Sequence, residues 1–264
     1  MHVPMRVPMP ATVRRLCAFQ SRLPGAAALA ALLALAGPAG AANLQISPVS
    51  IAFQPAQAAA GINLQNFGDT PLYGQVRVYA WDQKDGVDVL TPTTDVVASP
   101  PIIEVAASST QTIRLVRRPG AAGADGAERS YRILIDEIPR GDAASGVAIR
   151  LQYSVPVFVA PAAGVGGAVP APALAWTLVR RNGGVALRAT NTGTLHAQLG
   201  ATRVRTASGR EVELSKGLLG YALAGRTREW QLAQDKAALL EGESGIVTTV
   251  NTREQTFPLA PAGD

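Results

Sequence analysis

The chain has 264 residues, 47% of them hydrophobic and only 16% charged, which excludes a disordered polyelectrolyte and suffices for one or two domains with real cores. Aromatics make up 5%, so those cores must rest on Val, Leu, Ile and Ala. The formal charge of +5 is uneven: residues 1–42 hold Arg6, Arg14, Arg15 and Arg22 and no acid, and without those four of the 24 basic residues the remaining 20 face 19 acids, a balance that excludes a general electrostatic attraction to nucleic acid.

The chain opens with Arg14, Arg15 and Arg22 ahead of a small apolar run, Gly25 to Ala36, and then Gly37-Pro38-Ala39-Gly40-Ala41-Ala42-Asn43. A basic region, a short apolar region and a small-residue site define a secretory signal peptide over 1–42, cleaved after Ala41 or Ala42. The apolar run is too short to anchor in a membrane comfortably, and Gly and Pro follow it at once. Met5 or Met9 are alternative starts. The only cysteine, Cys17, lies inside this segment, so the exported chain has no disulfide and no thiolate metal site and is stabilised by packing alone. One exported histidine, His196, is too few for a zinc site. It reads as a solvated loop residue rather than a member of a catalytic triad.

Beyond residue 43 the pattern is short alternating runs broken by Gly, Pro, Asn and Asp, the signature of an all-β chain of two immunoglobulin-like β-sandwiches. The first block predicts strands at Leu44–Phe53, Ala60–Asn66, Leu72–Asp82, Asp88–Val97, Ile102–Val105, Gln111–Arg117, Tyr131–Ile138 and Val147–Val159, with turns at Asn66–Asp69 and Lys84–Gly86. The domain it forms covers 43–160. An uncharged Gly/Ala/Pro linker follows over 161–172. The second domain, 173–264, predicts strands at Leu174–Arg181, Val185–Thr190, Gln198–Thr206, Glu211–Leu214, Thr227–Leu232 and Gly245–Phe257, and a turn of helix at Asp235–Leu240. Asn182-Gly183-Gly184 is a hairpin turn. No sequence repeat links the two blocks. Trp81, Trp176 and Trp230 read as core or interdomain packing residues, and Arg117-Arg118 and Arg180-Arg181 as solvated strand ends.

The last strand of the first block carries the most information. Every odd position from Val147 to Val159 is apolar: Val147, Ile149, Leu151, Tyr153, Val155, Val157 and Val159. Period two puts them on one face of a strand longer than is typical. The C-terminal half of that face suits the sandwich's own core. The N-terminal half follows the loop Arg140–Gly146, and an apolar strand left open at a sheet edge is either a liability or a device for adding a partner's strand.

These features resemble the periplasmic pilus-assembly chaperones of the chaperone–usher pathway, the PapD-like family. The matching stretches are Ile46–Phe53, Asn66–Pro71, Val97–Ile102, Thr112–Leu115, Tyr131–Pro139 and Val147–Pro161, with Asn191-Thr192-Gly193, Gly220–Gly225 and Arg228-Glu229-Trp230 in the second block. Their order over nearly the whole exported chain carries the resemblance. It implies two immunoglobulin-like domains in an L-shaped arrangement, without catalysis or cofactor. It further implies a chaperone that binds pilin subunits by donor-strand complementation in the periplasm and delivers them to an outer-membrane usher. By the same resemblance Val147, Ile149, Leu151 and Tyr153 are the groove-filling donor residues.

Familiar members grip the subunit's terminal carboxylate with an Arg on the first strand and a Lys on the donor strand. Here those places hold Ser50 and Pro156, a pattern that resembles the archaic branch. The candidate replacement is Arg132, which interrupts an apolar strand and whose guanidinium suits a carboxylate. The alternative is a surface arginine paired with Glu104, Asp136 or Glu137; Arg114 and Arg150 are further candidates. Two other function classes stay open. A pilus structural subunit or adhesin is disfavoured by the absence of a disulfide and of a long N-terminal extension. A secreted β-sandwich hydrolase or lectin is disfavoured by the absence of a triad, metal cluster or aromatic platform. Asp136 and Glu137, adjacent on one strand, point to opposite faces and make no acid–base pair.

Overall fold

The computed structural model describes residues 44–121, 126–139, 150–161, 171–181, 183–206, 208–240 and 244–261. The segment expected to be a signal peptide, 1–42, and most of the expected linker, 161–172, lie outside them. No helix among the described residues is long and apolar enough to cross a membrane.

The first block forms ten strands: β1 (Leu44–Ser47), β2 (Ile51–Phe53), β3 (Ala59–Asn66), β4 (Leu72–Lys84), β5 (Val87–Pro92), β6 (Val96–Ser99), β7 (Ile102–Val105), β8 (Thr110–Arg117), β9 (Arg129–Glu137) and β10 (Gln152–Val159). They make two sheets, β1-β3-β8-β6 and β2-β10-β9-β4-β5, with β7 also paired to β4. The sheets face each other across one core, because alternation turns one side of each strand inward. Ile62 and Leu64 of β3, Ile113 and Leu115 of β8, Ile133 and Ile135 of β9, and Val157 and Val159 of β10 are all buried there. Each such side chain contributes roughly 1.5–3 kcal/mol by leaving water.

Two predicted strands are each split between the sheets. Leu44–Phe53 becomes β1, paired with β3, and β2, paired with β10. The chain crosses at Pro48–Ser50, where Ser47–Pro48 is a cis peptide. Asp88–Val97 likewise becomes β5 and β6 in opposite sheets. The apolar alternation shifts phase at the first crossing, from Leu44 and Ile46 to Val49, Ile51 and Phe53, and lapses at the polar Thr93-Thr94-Asp95 of the second.

The second block forms β11 (Leu174–Arg181), β12 (Gly184–Asn191), β13 (Ala197–Thr206), β14 (Glu211–Ser215), β15 (Gly220–Ala222), β16 (Arg226–Gln231), the one-turn helix α1 (Gln234–Ala237), β17 (Ser244–Val250) and β18 (Arg253–Ala260). One continuous ladder, β14-β13-β17-β18-β11-β12-β16 with β15 on β13, encloses a core of Trp176, Leu178, Leu187, Leu199, Val204 and Ile246. The single strand expected at Gly245–Phe257 is a hairpin. Its turn, Asn251-Thr252, has both residues at positive φ and is held by the Gln198 N–H donating to Asn251 Oδ1 at 2.8 Å. A turn built with threonine rather than glycine carries little sequence signal.

Each domain contains a buried asparagine lock of the same design. Asn66 Nδ2 donates to Thr70 O at 2.8 Å and to Val105 O at 3.1 Å, and its Oδ1 accepts from the Gly68 N–H at 2.9 Å. Asn191 Nδ2 donates to Leu195 O at 2.8 Å and to Ala222 O at 3.0 Å, and its Oδ1 accepts from the Gly193 N–H at 3.0 Å. In both, an Asn-x-Gly turn ends a strand and ties it to the carbonyl four residues on and to a distant segment. A fully bonded buried amide is tolerated; an unbonded one would be costly.

Candidate functional site

β10 is paired along its whole length on one side only. β9 lies against it from Gln152↔Asp136 to Val159↔Arg129, whereas β2 covers only Val157 to Val159. The crossing at Pro48–Ser50 takes β1 into the other sheet and leaves residues 152–156 as an edge. Backbone groups alternate sides along a strand. The Leu151 carbonyl accepts from the Glu137 N–H on β9, and the Ala160 N–H donates to Phe53 O beside β2. Even-numbered residues therefore face away from β9, so the Gln152 and Ser154 N–H and C=O groups line the edge, while the pairing of Val157 with Ile51 engages the Pro156 C=O. Pro156 has no N–H to leave unpaired, the one strand position where proline is harmless.

The odd face grades from core to rim. Val155, Val157 and Val159 are buried, Tyr153 is half-buried against the edge of the same core, and Leu151 is half-buried just before the strand begins. Val147 and Ile149 lie outside the described residues. Of the donor residues named from the sequence, then, the structure describes Leu151 and Tyr153, next to the open edge.

Arg132 sits directly opposite Pro156 in the β9–β10 ladder. Tyr131, Ile133 and Ile135 of β9 point into the core, so Arg132 projects from the outer face of the sheet. There its guanidinium carbon lies 3.8 Å from the ring centre of Trp81 and 5.3 Å from that of Tyr221, both within cation–π range. Its Nη1 donates to Ser154 Oγ at 3.5 Å. Burial lowers its pKa, opposed by Tyr221 and Asp88. The three acids considered as surface partners are engaged elsewhere: Asp136 with Arg77 at 2.6 Å, Glu104 as acceptor from Tyr73 Oη at 2.9 Å, and Glu137 near the Leu151 N–H at 3.5 Å. Among the described residues no carboxylate pairs with Arg132. Arg114 is exposed on the other sheet, between Gly61 and Ser99, and Arg150 is exposed just before Leu151. Ser50 is exposed and Pro156 is buried.

The second domain covers the outer face beside Arg132. Trp81, Phe158, Tyr221 and Leu223 form a small buried cluster drawn from both domains. Gln83 clamps it: Nε2 donates to Tyr221 O at 2.8 Å and Oε1 accepts from the Leu223 N–H at 3.0 Å. The β4–β5 turn, with Asp85 and Gly86 at positive φ, reaches β16, where the Glu229 N–H donates to Gly86 O at 2.9 Å. Asp82 accepts from Arg226 Nε at 2.5 Å.

His196 is not the solvated loop residue expected from the sequence. Its ring stacks on Phe158 at 3.5 Å between centroids, its Nδ1 lies 2.7 Å from Glu128 Oε1, and its N–H donates to Glu128 Oε2 at 3.2 Å. Glu128 and Phe158 belong to the other domain, so nothing local in the sequence announced the contact. The one signal was Phe158, an aromatic at an outward position of β10.

Known proteins share this fold. Residues 43–164 match the family described as pili and flagellar-assembly chaperone, PapD N-terminal domain. Among solved structures, the chain is similar to the chaperone in a pre-assembly complex with a tip adhesion subunit from the archaic Csu pili of Acinetobacter baumannii. That match has 24% identity and a TM-score of 0.66, and covers 83% of this chain and 99% of that one. The chaperone DraB of E. coli matches at 20% identity and a TM-score of 0.53, over 81% of this chain and 94% of that one. A Salmonella enterica SafA pilin complex with the SafB chaperone matches at 14% identity and a TM-score of 0.56, over 83% and 98%. A search of curated proteins finds no match.

Proposed function

We propose that this chain, whose N-terminal domain belongs to the PapD family of pilus-assembly chaperones, captures pilus subunits by lending them the open half of β10 and its N-terminal continuation. The single observation that carries this reading is the one-sided pairing of β10: Gln152 and Ser154 present backbone donors and acceptors with no strand opposite them among the described residues. A subunit missing a strand supplies the complementary row. Val147, Ile149, Leu151 and Tyr153 then fill its groove. Each aliphatic anchor contributes about 1.5–3 kcal/mol gross, from which association and ordering costs are subtracted. Arg132 receives the subunit's terminal carboxylate; its place opposite Pro156 and its lack of a carboxylate partner among the described residues support that role.

The chain works in the periplasm, after removal of a signal peptide over 1–42, and passes its subunit to an outer-membrane usher. It is divided into a donor domain (43–160), a linker (161–172) and a second β domain (173–264). It binds and releases without chemistry of its own.

The test replaces Ile149 and Leu151 together with Asp and measures recovery of a co-expressed pilin from the periplasm. Recovery should collapse while the chaperone itself accumulates normally. Unchanged recovery overturns the donor-strand assignment.

A further inference from the structure

Arg132 belongs to the first domain, but one wall of its surroundings comes from the second. Trp81, on β4 of its own sheet, lies under the guanidinium at 3.8 Å, and Tyr221, on β15, forms an adjoining wall at 5.3 Å. The two rings meet edge to face with centroids 5.3 Å apart. Tyr221 is itself fixed at both ends. Its carbonyl accepts from Gln83 Nε2, and its hydroxyl accepts from Gln198 Nε2 at 3.2 Å. A long, flexible arginine side chain is thus held in one place by two faces that shield it from water yet leave its charge unpaired with any carboxylate among the described residues.

We propose that Trp81 and Tyr221 form an aromatic corner that positions Arg132 for the subunit's terminal carboxylate, so that the second domain takes part in subunit capture through Tyr221. This rests on the anchor role given to Arg132 above. The rings act twice. They remove the entropy that a free arginine would lose on binding, and they stabilise the guanidinium as a cation without competing for its N–H donors. A salt bridge in their place would occupy those donors. Tyr221 is a positioning residue: it acts through Arg132.

A two-by-two set of variants tests this. Tyr221→Leu and Arg132→Gln, singly and together, are compared for the amount of a co-expressed pilin recovered from the periplasm with tagged chaperone. Tyr221→Phe serves as the conservative control and circular dichroism as the check on folding. Tyr221→Leu should reduce recovery roughly tenfold, the scale of one shielded cation–π contact. Tyr221→Phe should restore it, and the double variant should be no worse than Arg132→Gln alone. Additive losses in the double variant, or full recovery with Tyr221→Leu, overturn the positioning role. A folded Arg132→Gln that captures pilin normally overturns the anchor reading itself, a distinguishable result.

Discussion

Pro156 and Arg132 face each other across the β9–β10 ladder. The position from which familiar relatives are expected to offer a lysine is thus occupied by a residue that ends the run of available N–H groups, and a cation stands on the next strand instead. A guest strand that pairs with Gln152 and Ser154 would run out of donors at Pro156, beside the guanidinium. On the proposed reading, strand pairing and charge recognition are therefore adjacent, with the charge moved to the neighbouring strand.

If the Ser154 N–H is used by a guest rather than by this domain, replacing Ser154 with Pro should weaken capture while sparing the chaperone. The odd-numbered residues make the β9 ladder, so it keeps its hydrogen bonds. Pilin recovery should fall several-fold, with a thermal midpoint within a few degrees of wild type. A large drop in the midpoint with equal loss of soluble protein would show that the group serves the host sheet.

Gln83→Leu should loosen the domain junction. It leaves the Leu223 N–H and the Tyr221 carbonyl buried without partners, a penalty of about 1–3 kcal/mol per group. Denaturant unfolding should show lower stability or a separate early transition for the second domain.

Gly86→Ala should act on the same junction by a different route. Gly86 has φ +78°, and an added Cβ would lie 2.7 Å from Glu229 Cγ. Strain and clash together should cost at least about 1–3 kcal/mol, seen as a lower denaturant midpoint.

Acid should weaken the junction through Asp82. Burial pushes its carboxyl up, but hydrogen bonds from Arg226 and the Gln83 N–H, with the charges of Arg226 and Lys84, outweigh this and hold it below the ordinary carboxylate range. A carboxyl depressed in the folded state contributes stability that is present above its unfolded pKa, about 3.9, and lost as pH falls through the folded value. Asp82→Asn should therefore be less stable than wild type at pH 6, and the gap should close below about pH 4 in denaturant titrations. A constant gap across pH 2–6 would remove Asp82 from the linkage.

The all-β class, the two blocks and most strands were legible because alternation is a local property. Arg132 was visible for the same reason, as a charge in an apolar strand. What alternation could not show was which sheet each half joins. The pattern shifts phase at Pro48–Ser50 and lapses at residues 93–95, but pairing depends on distant partners. Nor could it foresee the junction. Trp81, Gln83 and Phe158 occupy outward positions, and they are buried only because another domain lies on them. His196 was misread on the same account, since Glu128 is 68 residues away.

The matching locks at Asn66 and Asn191 do one mechanical job in two places. Each asparagine is followed two residues later by glycine and bonded to the carbonyl four residues on. Each amide fastens the end of a strand to a segment far along the chain, at Val105 in one domain and Ala222 in the other. The same small knot, tied twice, keeps both sandwiches closed at the end where the chain turns.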